Sequence, residues 1–416
     1  MGKISVGAEL AEGANNAPRT RWQLAVASGI LGWILDAYYF FILIFLVDAL
    51  AAKFAVSKGA IVWSITVTLA TRPLGAIVLG GLADRYGRRG PLIGCVLFFS
   101  IVSALTPFAP NYGVFLTLRA LYGVGMGGYW GIGASLVMES SPGRWRGLFS
   151  GILQAGYSLG YLAAAAVMPV VVPRVGWQWV FLGGLPMAAP IAVLAAAAKE
   201  PEAWRSNRPG GFGEAARAVW EHKGTFVYLV VLMTAITCFS HGSQDLYPDF
   251  LRTVHGFSRL AASNLAILYN VGAIAGALAI GHLSQKIGRR LSILVALGVA
   301  LAAVPAWAFG TTVTMLAAGA FVMQFGVQGV FGVIPAHLNE LSPPMVRSLF
   351  PGVVYQLGML IGAPSVGIEF ALRRAFGYGW ALAAFEVAAV AALFVLCAAG
   401  PERRDSFYGE TREGVY

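Results

Sequence analysis

The 416-residue chain is predicted to be an all-α integral membrane protein, with 12 transmembrane helices arranged as two six-helix parallel repeats around a central cavity. Its composition is 58% hydrophobic and 12% charged, whereas about a quarter of the residues in a soluble globular domain are charged. Apolar windows of about 20 residues recur along the chain, and each is long enough to cross a hydrocarbon layer roughly 30 Å thick. Motifs in the first half also return in the second, which predicts the internal repeat.

The apolar windows predict helices throughout and leave no room for a soluble domain. A membrane-spanning strand would show about ten residues of alternating polarity, and the absence of that pattern argues against a β-barrel. The first window is too long for a signal-peptide core, so a retained first helix is expected. The predicted helices are 24–47, 60–82, 91–108, 113–138, 148–171, 177–198, 224–250, 260–283, 291–309, 313–336, 349–371 and 379–399.

The longest polar connection divides the chain into an N-terminal six-helix bundle (1–198), a linker (199–223), a C-terminal bundle (224–400) and a tail (401–416). An even number of helices places both termini on one side of the membrane. The termini and even-numbered connections hold 20 Lys and Arg residues, and the odd-numbered connections hold seven. Because positive loops are retained in the cytoplasm, we expect cytoplasmic termini in a multi-pass protein of the cell (inner) membrane. The same asymmetry explains the net charge of +10 without nucleic acid.

The sequence carries no pattern typical of an enzyme. Its three cysteines lie in apolar segments without paired spacing, which predicts neither a disulfide framework nor a metal site. There is also no nucleophile motif and no Gly-rich phosphate loop. We therefore expect no catalytic residue, no metal and no cofactor. A monomer in the lipid bilayer is expected.

Two motifs repeat about 201 positions apart, which indicates duplicated halves. Parallel six-helix repeats with a cavity at their interface are typical of alternating-access transporters. The first motif comprises Gly80, Asp84, Arg85, Gly87, Arg88 and Arg89, matched by Gly281, Gln285, Lys286, Gly288, Arg289 and Arg290. The second comprises Glu139, Pro142, Arg146, Leu148, Phe149 and Gly151, matched by Glu340, Pro343, Arg347, Leu349, Phe350 and Gly352.

The run GGLADRYGRR, from Gly80 to Arg89, resembles the signature of the major facilitator superfamily. The resemblance covers essentially the whole chain and implies the major facilitator fold. It also implies that Gly80, Asp84, Arg85, Gly87, Arg88 and Arg89 form a cytoplasmic gate that steadies the outward-facing state. Positive-inside anchoring also explains Arg88 and Arg89, but it does not explain Asp84. Gln285 predicts a weaker equivalent contact in the second half.

Charged residues inside the apolar windows are candidates for function, because a charge at membrane depth costs several kcal/mol. Arg72 lies 12 residues before Asp84, which places it roughly 18 Å along a helix from that end. Its planar guanidinium suits a carboxylate. The alternative is a permanent structural pair with Asp36. The intramembrane set is Asp36, Arg72, Arg119, His241, Asp245 and Glu369.

The window 224–250 carries a polar stripe, because Thr237, His241, Gln244 and Asp245 follow at helical spacings of three and four. Imidazole titrates near neutral pH, so His241 with Asp245 is a candidate proton-binding pair. Alternatively, the stripe merely approaches the periplasmic surface.

The string SHGSQDLYP, from Ser240 to Pro248, resembles a signature of the Jen-type lactate and pyruvate permeases and the sialate:proton symporters. FGVQGVFGVIPAHLNELSP and YQLG resemble the Jen-type group as well. The resemblance implies substrate-binding roles for Arg72, His241, Gln244 and Gln356. It also places Tyr39 and Tyr129 in the cavity, where relatives usually carry two carboxylates. Protons would then travel through His241, Asp245 and Asp36, or coupling would be weakened.

The leading hypothesis is therefore a proton-coupled symporter of a small monocarboxylate such as lactate or pyruvate. Its partners would be that small organic acid and a proton, because the two together cross without net charge. Transport of sialic or aromatic acids, an uncoupled facilitator and a non-transporting nutrient sensor are the alternatives.

Overall fold

The computed structural model describes residues 22–403, and those residues form helices and turns without a strand. The N-terminal half contains α1 (Trp22–Phe45), α2 (Val47–Phe54), α3 (Lys58–Tyr86), α4 (Arg89–Leu105), α5 (Tyr112–Ser140), α6 (Arg146–Val175) and α7 (Gln178–Ala197). The connection contains α8 (Glu202–Ser206) and α9 (Phe212–Glu221). The C-terminal half contains α10 (Lys223–Gln244), α11 (Tyr247–Thr253), α12 (Arg259–Ile287), α13 (Arg289–Phe309), α14 (Val313–Leu341), α15 (Leu349–Gly362), α16 (Ser365–Phe376) and α17 (Tyr378–Ala399).

The all-helical, twelve-span prediction is confirmed. Within residues 22–403, eleven helical segments are long and apolar enough to cross a membrane. The twelfth is α5, whose 29 residues give a length of roughly 44 Å. Its many glycines lower its mean hydropathy, and most of its second half is buried between neighbouring helices.

Two predicted spans are interrupted in the structure. The window 224–250 is divided into α10 and α11 at Asp245 and Leu246. The window 349–371 is divided into α15 and α16 at Ala363 and Pro364, where the proline ring cannot continue a regular helix. The first break places Asp245 at the end of a helix, one turn from His241. Helical periodicity alone did not predict either break.

Helix starts repeat between the halves together with the residues that cap them. Ser57 accepts the N–H of Ala60 (3.1 Å) at the start of α3, and Ser258 accepts the N–H of Ala261 (3.1 Å) at the start of α12. Asn111 and Thr312 cap α5 and α14 in the same way. Each cap supplies an oxygen to an otherwise unpaired backbone N–H. The two halves therefore share local structure as well as motif sequence.

Glycines allow the close helix packing within each half. A Cβ atom at Gly75 of α3 would lie 1.9 Å from the carbonyl oxygen of Val124 in α5. At the matching position, a Cβ atom at Gly276 of α12 would lie 2.0 Å from the carbonyl oxygen of Phe325 in α14. Small residues at such crossings let backbones approach in membranes. These glycines therefore let α3 pack closely on α5, and α12 on α14.

Some sequence-based expectations lie outside the described residues. The predicted tail, 401–416, is described only as far as residue 403. The terminal cations used in the topology argument, Lys3, Arg19, Arg21, Arg404 and Arg412, are likewise outside residues 22–403.

Candidate functional site

A cavity of about 670 Å³ lies between the two halves of the chain. α1, α3 and α6 form one wall, and α10, α12, α14, α15 and the start of α16 form the other. The cavity extends from Arg72 and Gln356 toward Ile44 and Val62, at the end of the bundle opposite Asp84. Its polar lining includes Arg72, Ser158, His241, Gln244, Asp245, Asn270, Gln324, Gln328 and Gln356.

Arg72 projects from α3 into this cavity and is only 3% exposed. Its guanidinium makes no hydrogen bond or ion pair with any residue in the range 22–403, and its Nε is fully buried. Asp36 is close enough to Arg72 for their charges to interact, but the two residues form no ion pair within 4.0 Å. Asp36 instead accepts a hydrogen bond from the Tyr122 hydroxyl (3.0 Å). The structure therefore does not contain the permanent Arg72–Asp36 pair considered above.

His241 and Asp245 lie across the cavity from Arg72, at the end of α10. The His241 Nδ1 and an Asp245 carboxylate oxygen are 2.7 Å apart, and their side chains are 23% and 34% exposed. Gln244 lies beside them on the cavity wall. The carboxylate fixes the orientation of the imidazole, and both side chains are accessible from the cavity.

Gln356 of α15 brings an amide to the same cavity. Its Nε2 donates to the carbonyl oxygen of Gly127 (3.4 Å), while its Oε1 has no partner among the described residues. The structure thus places four of the predicted substrate-binding residues on one cavity: Arg72, His241, Gln244 and Gln356.

Tyr39 and Tyr129 do not line the cavity, contrary to the expectation from the resemblance. Tyr39 is fully buried and packs edge-on against Phe99. The Tyr129 hydroxyl lies inside the N-terminal half, where it donates to the carbonyl oxygens of Ser28 (3.1 Å) and Gly29 (2.9 Å). The cavity face of α1 is formed by Phe40 and Phe41, the neighbours of Tyr39, and no residue of α5 lines the cavity.

Asp36 and Thr237 also lie off the cavity wall. Asp36 is fully buried within the N-terminal half. Thr237 donates to the carbonyl oxygen of Met233 (2.8 Å) and packs against α15. The polar stripe of α10 therefore reaches the cavity only at its last turn.

Several cavity residues were not predicted. Gln324 and Gln328 lie one turn apart on α14, and their amides inside an apolar window were a visible signal. Three phenols also face the cavity: Tyr157, Tyr161 and Tyr269. Phenols are common in membrane helices, so their sequence positions alone did not distinguish them from packing residues.

At the closed end of the cavity, Asp84 joins the two halves. Its carboxylate accepts the backbone N–H groups of Ser348 and Leu349, both at 2.9 Å, from the start of α15. Arg88 donates to Asp84 at 2.5 Å and to both carboxylate oxygens of Glu139 at 2.9 and 3.0 Å. Burial alone would lower the pKa of Arg88, but the carboxylates of Glu139 and Asp84 outweigh it and raise that pKa. Arg88 is therefore a permanent cation beside the contact.

The other arginines of the motif make different contacts. Arg89 donates to the carbonyl oxygen of Ala195 (3.0 Å) and also to that of Ala196, at the end of α7 in its own half. Arg85 stacks on Tyr86 and on Phe212 of α9. Only Asp84, supported by Arg88, reaches across to the other half through its side chain.

Two glycines of the motif have steric roles. A Cβ atom at Gly80 would lie 3.0 Å from the Cα of Leu349 in the other half. Gly87 has a φ angle of +111°, a backbone conformation that residues other than glycine rarely adopt. A Cβ atom there would also collide with the Glu200 side chain.

Further contacts keep this end closed. The Ser135 and Ser348 hydroxyls lie 2.6 Å apart, and Ser150 donates to the carbonyl oxygen of Gly332 (2.7 Å). The rings of Trp130 and Tyr355 stack with their centroids 3.9 Å apart, further from the closed end than the Ser135–Ser348 contact. Access to Arg72 is therefore from the opposite end of the bundle.

Comparison with known proteins agrees with this architecture. A sequence profile described as Major Facilitator Superfamily matches residues 29–363. A carboxylic acid transporter protein homolog of Saccharomyces cerevisiae is 30% identical over 369 residues, which cover 82% of this chain and 60% of that protein. This chain thus spans about three fifths of the length of the yeast relative.

Two further likenesses extend over nearly the whole chain. A sialic acid transporter of Escherichia coli is 23% identical over 386 residues, covering 89% of this chain and 92% of its own. The crystallised proton:xylose symporter superposes with a TM-score of 0.73 at 18% identity, covering 92% of this chain and 96% of its own. At that identity the structural likeness concerns the fold.

Proposed function

This chain belongs to the Major Facilitator Superfamily, and from that premise we propose that it is a proton-coupled symporter of a small organic acid, working by alternating access. It is a multi-pass membrane transporter rather than an enzyme. The proposed substrate is a small monocarboxylate such as lactate or pyruvate. The similarity to the yeast carboxylic acid transporter homolog supports an acid as the substrate.

The observation that carries the proposal is the unpaired guanidinium of Arg72 at the wall of a cavity between the two halves. A buried cation without a partner is costly, and a carboxylate that binds it removes part of that cost. The planar fork of arginine can hold both carboxylate oxygens. Gln244 and Gln356 supply amides to hydroxyl or carbonyl groups on the remainder of the substrate.

Alternating access follows from the asymmetry of the two ends. The Asp84 contact closes one end, which the Lys and Arg distribution assigns to the cytoplasm. In this arrangement the cavity faces outward. Movement of the halves about the cavity would break the bonds from Ser348 and Leu349 to Asp84 and expose Arg72 to the other side.

Proton coupling is proposed to begin at His241 and Asp245. A monocarboxylate accompanied by one proton crosses without net charge, which avoids about 2.3 kcal/mol per charge for each 100 mV of membrane potential. His241 and Asp245 share the cavity with Arg72. A proton bound there and an anion bound at Arg72 would therefore be carried in the same cycle.

A bulkier acid is the second candidate, because aromatic rings dominate much of the cavity wall. Phe40, Phe41, Tyr157, Tyr161 and Tyr269 surround the polar residues. Stacked rings would favour an aromatic acid over lactate. The cavity volume also accommodates more atoms than lactate has.

The proposal is tested by uptake into proteoliposomes containing the full chain, with and without an inward proton gradient. The radiolabelled probes are lactate, pyruvate, nicotinate, gentisate and sialate. We expect saturable uptake of at least one acid, with accumulation driven by the gradient. Uptake that only equilibrates would identify an uncoupled facilitator. Binding without uptake of any probe would favour a sensor.

A further inference from the structure

Two glutamates inside the C-terminal half have no role in the cavity described above. Glu369 on α16 is 1% exposed, and Glu386 on α17 is fully buried. All four of their carboxylate oxygens lack a hydrogen-bond partner among residues 22–403. The glutamates near the closed end differ, because Glu139 and Glu340 are each paired with an arginine. Among the buried glutamates of residues 22–403, these two therefore have no arginine partner.

Both carboxylates lie where α16 and α17 pack against each other and against α10. Glu369 is close enough to Glu386 for their charges to interact. A Cβ atom at Gly242 of α10 would lie 2.6 Å from the Oε1 of Glu386, so that oxygen rests directly against the α10 backbone. The absence of a side chain at Gly242, next to His241, makes this approach possible.

The charged and titratable groups around the site do not neutralise it. α10 presents Cys238 and Asp245, and its one basic residue in this region, His241, is bonded to Asp245 at 2.7 Å. On α16, Arg373 lies one turn beyond Glu369, but it is paired with Asp249 at 2.9 Å. α13 also packs against α17, and its segment 291–309 contains no titratable residue. No described cation therefore faces the two glutamates.

The site is connected electrostatically to the cavity. Asp245, on the cavity wall, is close enough to Glu369 for their charges to interact. The sequence of acidic groups thus runs from Asp245 to Glu369 to Glu386, away from Arg72 and into the C-terminal half. Val366, one turn before Glu369 on α16, also lines the cavity.

Two adjacent carboxylates in an apolar interior cannot both be ionised without a large free-energy cost. We propose that Glu369 and Glu386 form a proton-binding pair, reached through Asp245, that carries the coupling proton of the transport cycle. The coupling role rests on the proposed symport, whereas the binding of a proton by the pair does not. A proton from cavity water passes by way of the Asp245 carboxylate and forms an O–H bond on one glutamate. That bond breaks, and the proton returns to water, after the cavity faces the other side.

Infrared difference spectroscopy tests proton binding without knowledge of the substrate. The C=O stretch of a protonated carboxyl is separate from that of a carboxylate, and pH-jump spectra of the full-length protein would follow it. We expect a buried protonated-carboxyl band near neutral pH that is lost in Glu369→Gln/Glu386→Gln. Glu340→Gln is the matched control, because Glu340 is paired with Arg289 and the band should remain. Absence of the band in the unmodified protein, or a band of unchanged intensity in the double variant, would contradict proton binding by the pair.

Reconstituted transport tests the coupling role. Glutamine resembles the protonated glutamate, so Glu386→Gln should still exchange labelled for unlabelled acid, using whichever of the five probes the unmodified protein transports. A gradient of one pH unit corresponds to about tenfold accumulation, and that ratio should fall to about one in the variant. Full accumulation in both Glu386→Gln and Glu369→Gln would overturn the coupling role. Failure of the unmodified protein to take up any probe would refute the proposed function, and the infrared result would still decide whether the pair binds a proton.

Discussion

Asp84 and Gln285 occupy matching positions in the two halves, and each accepts backbone N–H groups from the half to which it does not belong. Asp84 accepts from Ser348 and Leu349 (both 2.9 Å), and Gln285 accepts from Gly147 (3.1 Å). The two contacts are related by the internal repeat but differ in charge. Hydrogen bonds to a charged acceptor contribute about 1.5 to 3 kcal/mol, against about 0.5 to 1.5 kcal/mol for neutral pairs. The N-terminal contact should therefore dominate the closed state.

Replacement of Asp84 by Asn should shift the resting population toward opening at this end. The neutral amide keeps the shape but weakens two interhalf bonds and the contact with Arg88. Ala76→Cys, a buried position facing Gly352, serves as the reporter in a background without the three native cysteines. We expect maleimide labelling of this reporter to rise about tenfold, the effect of roughly 1.4 kcal/mol.

Gln285→Ala is the matched control for that variant. It removes one neutral interhalf bond, so labelling should rise less than in Asp84→Asn. Equal labelling in the two variants would contradict the dominance of Asp84. Unchanged labelling in Asp84→Asn would leave the motif with its topological role alone.

The closed-end contacts were largely predictable because they depend on local spacing. Asp84 and Arg88 lie one helical turn apart at a helix end, and the repeat identified their counterparts in the second half. The motif did not indicate that Arg89 would instead bind the end of α7, because that contact depends on how two helices of one half pack.

The cavity was predictable only in part. Arg72 and His241 stood out because a charged group in an apolar window is costly, whereas Gln356 was identified only through the resemblance. The face that a helix turns toward the cavity depends on the rotation of the helix about its own axis. Sequence similarity to relatives at single positions does not determine that rotation. Tyr129 consequently lies inside its own half. Glu386 was not recognised, although its carboxylate within an apolar window gave the same kind of signal as Glu369.

Replacement of Arg72 by Lys should reduce uptake strongly while leaving the protein folded. Lysine keeps the positive charge but loses the planar fork that holds two carboxylate oxygens. We expect the initial rate at low substrate concentration to fall at least about tenfold, equivalent to about 1.4 kcal/mol. Labelled-acid uptake by reconstituted protein measures the rate, and size-exclusion chromatography checks the fold.

Arg119→Lys separates a substrate effect from loss of a buried arginine. Arg119 is also buried, but it binds the Thr106 hydroxyl (2.9 Å), stacks on Tyr122 and lies outside the cavity lining. This variant should lose thermal stability while its apparent affinity for the acid stays unchanged. Normal uptake by Arg72→Lys would place the carboxylate site elsewhere.

Tyr129→Phe should affect stability rather than substrate binding. The hydroxyl bonds to two backbone carbonyls within the N-terminal half, so its loss should cost about 0.5 to 1.5 kcal/mol. A thermal-shift assay should show a lower melting temperature, with an unchanged apparent affinity in uptake. Tyr157→Phe, on the cavity wall, is the contrasting variant. A large loss of affinity in Tyr129→Phe alone would restore a substrate role to that phenol.

Replacing either His241 or Asp245 on α10 by a neutral residue should abolish accumulation driven by the proton gradient while substrate binding remains. His241 and Asp245 lie 2.7 Å apart on the cavity wall, where water can deliver a proton beside an anion held by Arg72. Asp245→Asn removes the carboxylate that stabilises the protonated imidazole, and it also interrupts the proposed route to Glu369. Accumulation driven by one pH unit should therefore fall from about tenfold to about one. Exchange of acid for acid requires no net proton movement and should survive in part. His241→Gln tests the other member of the pair. Persistent accumulation in both variants would exclude α10 from the proton path, including the route through Asp245 to Glu369, and Asp36 would be the next candidate.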